Sequence, residues 1–271
     1  MSSLFVNPSN LTYIADTIRS KAGISDNLSF PYGFVYAIDG IQAGGGDDGT
    51  LDALIGGGSI EIDNSTVTQI RPYAFYLHDS IKTATFRAVT TIGSSAFGSC
   101  RSLSSINFPM ATIVAQSAFI SCYNLITAEI PLLTSTGNSA FFGCNALTEA
   151  SFPYLVKINA DTFRSCRSLT SITFPAAEYI GMQAFEGCSK ISVANLPKAS
   201  VIWSGAFNKC SALSEIHLMG SSVCTLSNSS TFFMTGIGTD KGSIYVPASL
   251  VASYQAATNW AYFSTQILAG D

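Results

Sequence analysis

Phenylalanine recurs at positions 75, 97, 119, 141, 163, 185 and 207, each 22 residues after the one before. Self-similarity at a fixed period of about 20–50 residues marks an array of small units, not a compact domain with one closed core. The residue before each Phe is Ala74, Ala96, Ala118, Ala140, Thr162, Ala184 or Ala206, and three residues after it stand His78, Cys100, Cys122, Cys144, Cys166, Cys188 and Cys210. Two further columns keep the same step: Ile81, Leu103, Leu125, Leu147, Leu169, Ile191 and Leu213, then Phe86, Phe108, Ile130, Phe152, Phe174, Leu196 and Leu218. Pro109, Pro131, Pro153, Pro175 and Pro197 follow five members of the last column. The unit reads A-F-x-x-C-x-x-L-x-x-I-x-F-P-x-A-x-x-I-G-x-x.

Within the unit, Leu169-Thr-Ser-Ile172-Thr-Phe174 alternates apolar and polar residues, the period of a short strand. The A-F-x-x-C segment is expected to form a tight helical or 3₁₀ turn with Phe and Cys inward. Proline ends the strand, and Gly93, Gly137 and Gly181 suit a bend of unusual φ. One such unit cannot hide its apolar face alone, so neighbours must stack and their Phe, Leu and Ile columns become a continuous core. The pattern therefore predicts a β-solenoid with a parallel ladder.

The A-F-x-x-C-x-x-L-x-x-I-x-[FIL]-P pattern resembles the BspA-like leucine-rich repeat family over about residues 60–247. The resemblance implies a leucine-rich-repeat solenoid. It also implies a binding role, because members are mostly surface adhesins and interaction proteins without catalytic residues. The segment Ile244-Tyr-Val-Pro247 onward to Trp260 looks like the helical closing segment of such arrays.

Four regions are expected: an N-terminal helical module over 1–43, a glycine-rich linker over 44–58, the solenoid over 59–247, and a C-terminal helical cap over 248–271. In the first, Ser9-Asn10 caps a helix from Leu11 to Ala22, and a second helix runs from Pro31 to Ile41. The stretches Ile14–Gly23 and Phe30–Ile38 look like N-terminal segments of phage and prophage tail-associated proteins, which implies attachment to tail or virion proteins through residues 1–43. Such a small module buries too little surface for comfortable stability alone, so docking or homo-oligomerisation is expected. The interval from Phe207 to Phe232 is 25 residues, which places an insertion around Ser227–Ser230, and Cys224 falls in step 22 residues after Ile202.

Charged residues are 11% of the chain against an average share near 25%, so hydroxyls, amides and glycine carry the polar surface. A net charge of −4 without a Lys/Arg cluster argues against nucleic acid as a partner. Met1-Ser-Ser-Leu-Phe-Val-Asn7 lacks a basic start and a long apolar run, so neither an export signal nor membrane insertion is expected.

The cysteines lie a whole turn apart and lack local C-x₂-C pairing, and stacked parallel side chains point the same way rather than at each other. They read as reduced core residues, not as zinc ligands or disulfides. His78 reads as a cap position reaching solvent. Gly44–Gly46 and Gly56–Gly58 lack the pattern of a phosphate-cradling loop. No cofactor and no catalytic residue is expected.

The outward strand positions make a two-column strip from Thr83 and Thr85 to Glu215 and His217, dominated by small hydroxyls. Glu129, Glu149, Glu215 and His217 break its uniformity, and Tyr123, Phe142 and Tyr154 add rings in the same central turns. These seven residues are the candidate ligand contacts, either on the strip or along a central aromatic edge. Paired carboxylates for glycoside hydrolysis would need to face one groove. Only Glu129 and Glu149 lie on neighbouring strands, in different columns, so a glycan-degrading enzyme is disfavoured.

The expectation is a non-enzymatic recognition protein that binds a host cell-surface glycan or protein. As a phage or phage-like tail receptor-binding component it would be assembled in the bacterial cytoplasm. The alternatives are a BspA-like adhesin at the bacterial cell surface and a structural virion decoration.

Overall fold

The computed structural model describes residues 4–6, 60–65 and 67–270. The predicted helices over 11–22 and 31–41, the linker and the 43/44 boundary lie outside them. The repeats wind into a coil that carries parallel ladders on two sides. One is made of short strands such as Ser105–Asn107, Ser171–Thr173 and Glu215–His217; the other is made of two-residue strands such as Thr91–Ile92, Tyr179–Ile180 and Val201–Ile202. Within each sheet pairing keeps register from turn to turn after a shift at Ile60/Glu61, with Ala84 opposite Ile106, Ile172 opposite Ala194 and Ala194 opposite Ile216. The resulting column faces inward and its outer neighbours form the strip, as period-2 alternation requires.

The A-F-x-x-C stretch is not helical. It is a chain of overlapping turns in which Phe97, Ser99 and Ser95 donate their N–H groups to Ala118, Ile120 and Gln116 of the next turn, at 2.7, 2.7 and 3.0 Å. Aiming alternate N–H groups along the solenoid axis requires a left-handed residue at two positions per turn. Ser95 and Ser99 (φ 52° and 59°), Ser117 and Ser121 (56° and 58°), and Asp161 and Ser165 (56° and 62°) occupy them. Glycine takes the second position at Gly143 and Gly187, where positive φ carries no Cβ penalty. Gly93 and Gly181 have a different reason from the one expected. Their φ is ordinary, but a Cβ on Gly93 would lie 2.5 Å from Pro72 N, and one on Gly181 2.6 Å from Asn159 C. They are glycine because two turns approach closely.

Between the ladders the core is a stack of rings. Phe75, Phe97, Phe119, Phe141, Phe163, Phe185, Phe207 and Phe232 follow one another at centroid separations of 4.8–5.8 Å. Phe86 stacks on Phe108 at 5.6 Å, and Phe152 packs on Phe174 at 6.2 Å. All are buried. His78, expected to reach solvent, is buried with 7% exposure, because its column points into the core at the first turn as at the others.

At the first rung Leu4–Val6 pairs in parallel with Ile60–Asn64. At the other end the expected capping helix is shorter and more varied. Val251–Ala256 is α-helical, Trp260–Gln266 is 3₁₀, and Ile267–Gly270 returns as the last strand beside Ser243–Pro247. The cap covers the end of the ring stack, with Phe232 meeting Trp260 at 6.0 Å and Phe263 edge-on at 5.4 Å. The insertion begins earlier than Ser227. Val201 pairs with Thr225 and Ile202 with Leu226, so Cys224 is not the successor of Ile202 in its column. Its backbone N–H donates to Tyr254 Oη at 2.9 Å, and its carbonyl accepts from Trp260 Nε1 at 2.6 Å.

Candidate functional site

Because the ladders keep register, the solvent-facing columns of the strip are as regular as the core. Thr127, Glu129, Glu149 and Ser151 are exposed, and Glu129 and Glu149 stand on consecutive turns in different columns, as the spacing predicts. Neither carboxylate meets a cation among the described residues. At the C-terminal end of the strip, Glu215 Oε2 lies 3.5 Å from His217 Nε2. The imidazole stacks on Tyr245, its in-register neighbour, at 4.7 Å. Tyr245 belongs to the irregular last turns, outside the columns from which candidates were drawn, but the alternation of Ile244-Tyr245-Val246 already places it outward.

Tyr123, Phe142 and Tyr154 occupy three different columns, and no ring contact joins them. Tyr123 follows Cys122 ahead of the strip and is 44% exposed, and Tyr154 follows Pro153 beyond the strip and is 56% exposed. Phe142 lies in the turn segment, half-buried, with the Arg164 guanidinium 5.7 Å above its ring. Tyr154 has other company instead. Met110 and Leu132 hold the same post-proline position in the two preceding turns, at 50% and 37% exposure, and form an apolar row with it. The signal for this row is the residue after each proline, read down the column.

One polar cluster escaped the sequence reading. The Glu186 carboxylate, 6% exposed, is held by Lys209 Nζ at 3.0 Å, Arg164 Nη2 at 3.4 Å, Gln183 Nε2 at 2.5 Å and Asn208 Nδ2 at 3.3 Å. Arg164 also reaches Asp161 at 3.1 Å. This network ties three successive turns together. Many hydroxyls are likewise internal fasteners. Thr90 and Thr112 donate to the carbonyls of Thr68 and Thr90 at 3.2 and 3.4 Å, and Ser104 and Ser200 to those of Lys82 and Glu178 at 3.0 and 2.9 Å.

All seven thiols are free and buried. Cys100, Cys122, Cys188 and Cys210 donate to the carbonyls of Phe75, Phe97, Phe163 and Phe185 at 2.8–3.0 Å. Burial pushes the Cys122 and Cys210 thiols up to about 12, against a partly offsetting hydrogen bond from the backbone. Protonated thiols of this kind are neither nucleophiles nor metal ligands. Among the described residues no group of three His, Cys, Asp or Glu is placed to hold a metal ion, and no helix is long and apolar enough to cross a membrane.

A profile of the BspA type Leucine rich repeat region matches residues 58–157 and 134–250, in six copies. Among solved structures, a leucine-rich repeat protein from T. pallidum is 24% identical, with a TM-score of 0.55 over 68% of this chain and 85% of its own. A leucine-rich repeat protein from Bacteroides ovatus is 19% identical over 79% and 78% of the two chains, with a TM-score of 0.40. A leucine rich cell surface protein from Faecalibacterium prausnitzii is 20% identical over 77% and 82%, with a TM-score of 0.30. No curated protein matches.

Proposed function

We propose that this chain, which belongs to the BspA-type leucine-rich repeat family, is a non-enzymatic adhesion module that binds a protein or glycan through its ladder face and rim. The observation that carries the reading is the division of labour within each turn. Inward columns are nearly all apolar and buried, whereas outward positions change from turn to turn on a fixed frame. A scaffold of this kind confers selectivity through the residues that break its repeat. Glu129, Glu149, Tyr123, Tyr154, and the Glu215–His217–Tyr245 group are such residues.

Family membership favours the surface adhesin over the phage-tail receptor-binding component. The tail reading depends on residues 1–43, of which only Leu4–Val6 are described, and those three extend the ladder. The location that goes with an adhesin is the surface of the producing bacterium. Fractionation of that organism, with an antibody raised against residues 60–270, tests it. Recovery with the cell envelope supports the adhesin, and recovery in released particles would return the tail component to first place.

A further inference from the structure

Consecutive turns pair along the strip everywhere except in the middle. The strands Thr127–Glu129 and Glu149–Ser151 follow one another in the coil, yet the first ends a five-stranded sheet and the second begins a six-stranded one. The second ladder weakens at the same level. Ser135 and Lys157 are the one matched pair there, where the other steps of that ladder have two.

The sequence supplies a cause. The inward strip column runs Ala84, Ile106, Ala128, Ala150, Ile172, Ala194, Ile216, Ile244, and only at this step does alanine face alanine. Ile130 replaces the Phe of the neighbouring turns, and Thr136 enters an aliphatic column with its buried hydroxyl lacking a hydrogen-bond partner. Less apolar surface therefore holds these two turns together on the strip side. Solvent reaches further in as well: Ala128 is partly exposed, whereas the other members of its column are buried.

The opposite side of the same step is closed. Ser117, Phe119 and Ser121 donate to Asn138, Ala140 and Phe142 at 2.9, 2.8 and 2.7 Å, and Phe119 stacks on Phe141 at 5.3 Å. On the strip side Thr148 still donates its N–H and its hydroxyl to the Ile126 carbonyl at 3.3 and 3.4 Å, and Asn159 Nδ2 donates to the Thr136 carbonyl, but the strands Thr127–Glu129 and Glu149–Ser151 do not pair. A stack fastened closely along one side and by few bonds along the other is a hinge. We propose that the solenoid is two stiff stacks articulated between the turns of Ala128 and Ala150, rocking about the turn segments so that the strip opens and closes between Glu129 and Glu149. The hinge is independent of what the strip binds.

Amide hydrogen exchange on the full chain tests it. Amides of 127–130 and 149–152 should exchange at least about tenfold faster than those of 105–108 and 193–196. Ala128→Ile should slow the first two segments and leave the others unchanged. The column accepts this substitution, because Ile216 and Ile244 already adjoin. Should A128I fail to fold, A128V provides the smaller increment. Equal exchange at all four segments, or a difference untouched by the added side chain in a folded variant, would overturn the hinge.

Discussion

Cys144 donates its thiol hydrogen to the carbonyl oxygen of Phe119, 3.2 Å away in the preceding turn. The bond is one of a column in which each cysteine reaches back 25 residues to the Phe of the turn before, so the thiols are both core volume and inter-turn fasteners. Cys144→Ala should cost about 1–2 kcal/mol, the loss of a modest hydrogen bond and a small apolar group. Urea unfolding measures it. The melting temperature should not change when a mild reductant is added, and Ellman's reagent should titrate seven thiols only after unfolding.

The same burial gives the fold an alkaline limit. Folded Cys122, Cys210 and Cys224 are raised to about 12 from an ordinary 9.0. A group whose pKa rises on folding stabilises the native state fully below its unfolded value, and that contribution is lost as pH climbs towards the folded one. Stability should thus hold to about pH 9 and then fall by about 1.4 kcal/mol per pH unit for each thiol ionised in the unfolded chain alone. Melting temperatures between pH 8 and 10.5 would show the decline, and Cys122→Ala should make it shallower.

Removing a ring from the stack should be more damaging than removing a thiol. Phe141→Ala or Phe163→Ala should cost about 3–5 kcal/mol, because each ring fills the space between two others and the coil cannot collapse around the gap. Phe233→Ala, at an exposed position beside buried Phe232, should lie within about 0.5 kcal/mol of the parent in the same denaturation experiment.

Glu186→Gln should destabilise by about 1–3 kcal/mol, since the neutral side chain leaves Arg164 and Lys209 facing a site built for a carboxylate. Both cations are partly solvated, which keeps the figure at the lower end of what breaking a buried pair costs. Equilibrium unfolding at neutral pH checks it.

Binding should be lost in Glu129→Ala/Glu149→Ala if the strip is the contact, and in Tyr123→Ala/Tyr154→Ala if the rim is. Adhesion of the purified, labelled protein to candidate host cells would distinguish them, with melting temperature confirming that each variant is folded. If both variants bind as the parent does, the Glu215–His217–Tyr245 end becomes the next surface to alter.

The period of Phe75 to Phe207 already contained the solenoid, its buried columns and the outward strip, because packing in a stacked coil is dictated by residues that recur. The path of the A-F-x-x-C segment was not legible. Ser95 and Ser99 give no sign of left-handed backbone, which is imposed by hydrogen bonding to the next turn and not by their own propensity. Nor was the Glu186 network, because Arg164, Glu186 and Asn208 share one column but Lys209 and Gln183 come from others. Glu129, Glu149, Glu215 and His217 face outward as the alternation required. Tyr123, Phe142 and Tyr154 share no edge, because proximity in sequence within a coil of 22 residues can place side chains on different sides of it.

The reach of the fastenings also bears on how the chain acquires its shape. Nearly every bond between turns joins residues 21 to 25 positions apart. Loops that short close quickly, and the low contact order lets assembly start at any turn and spread by zippering. Each coil can thus settle as soon as the next has left the ribosome. The exceptions lie at the two ends of the array, where Leu4 pairs with Ile60 across 56 positions and Trp260 reaches back 36 residues to Cys224, so these two closures should form more slowly than the rungs between them.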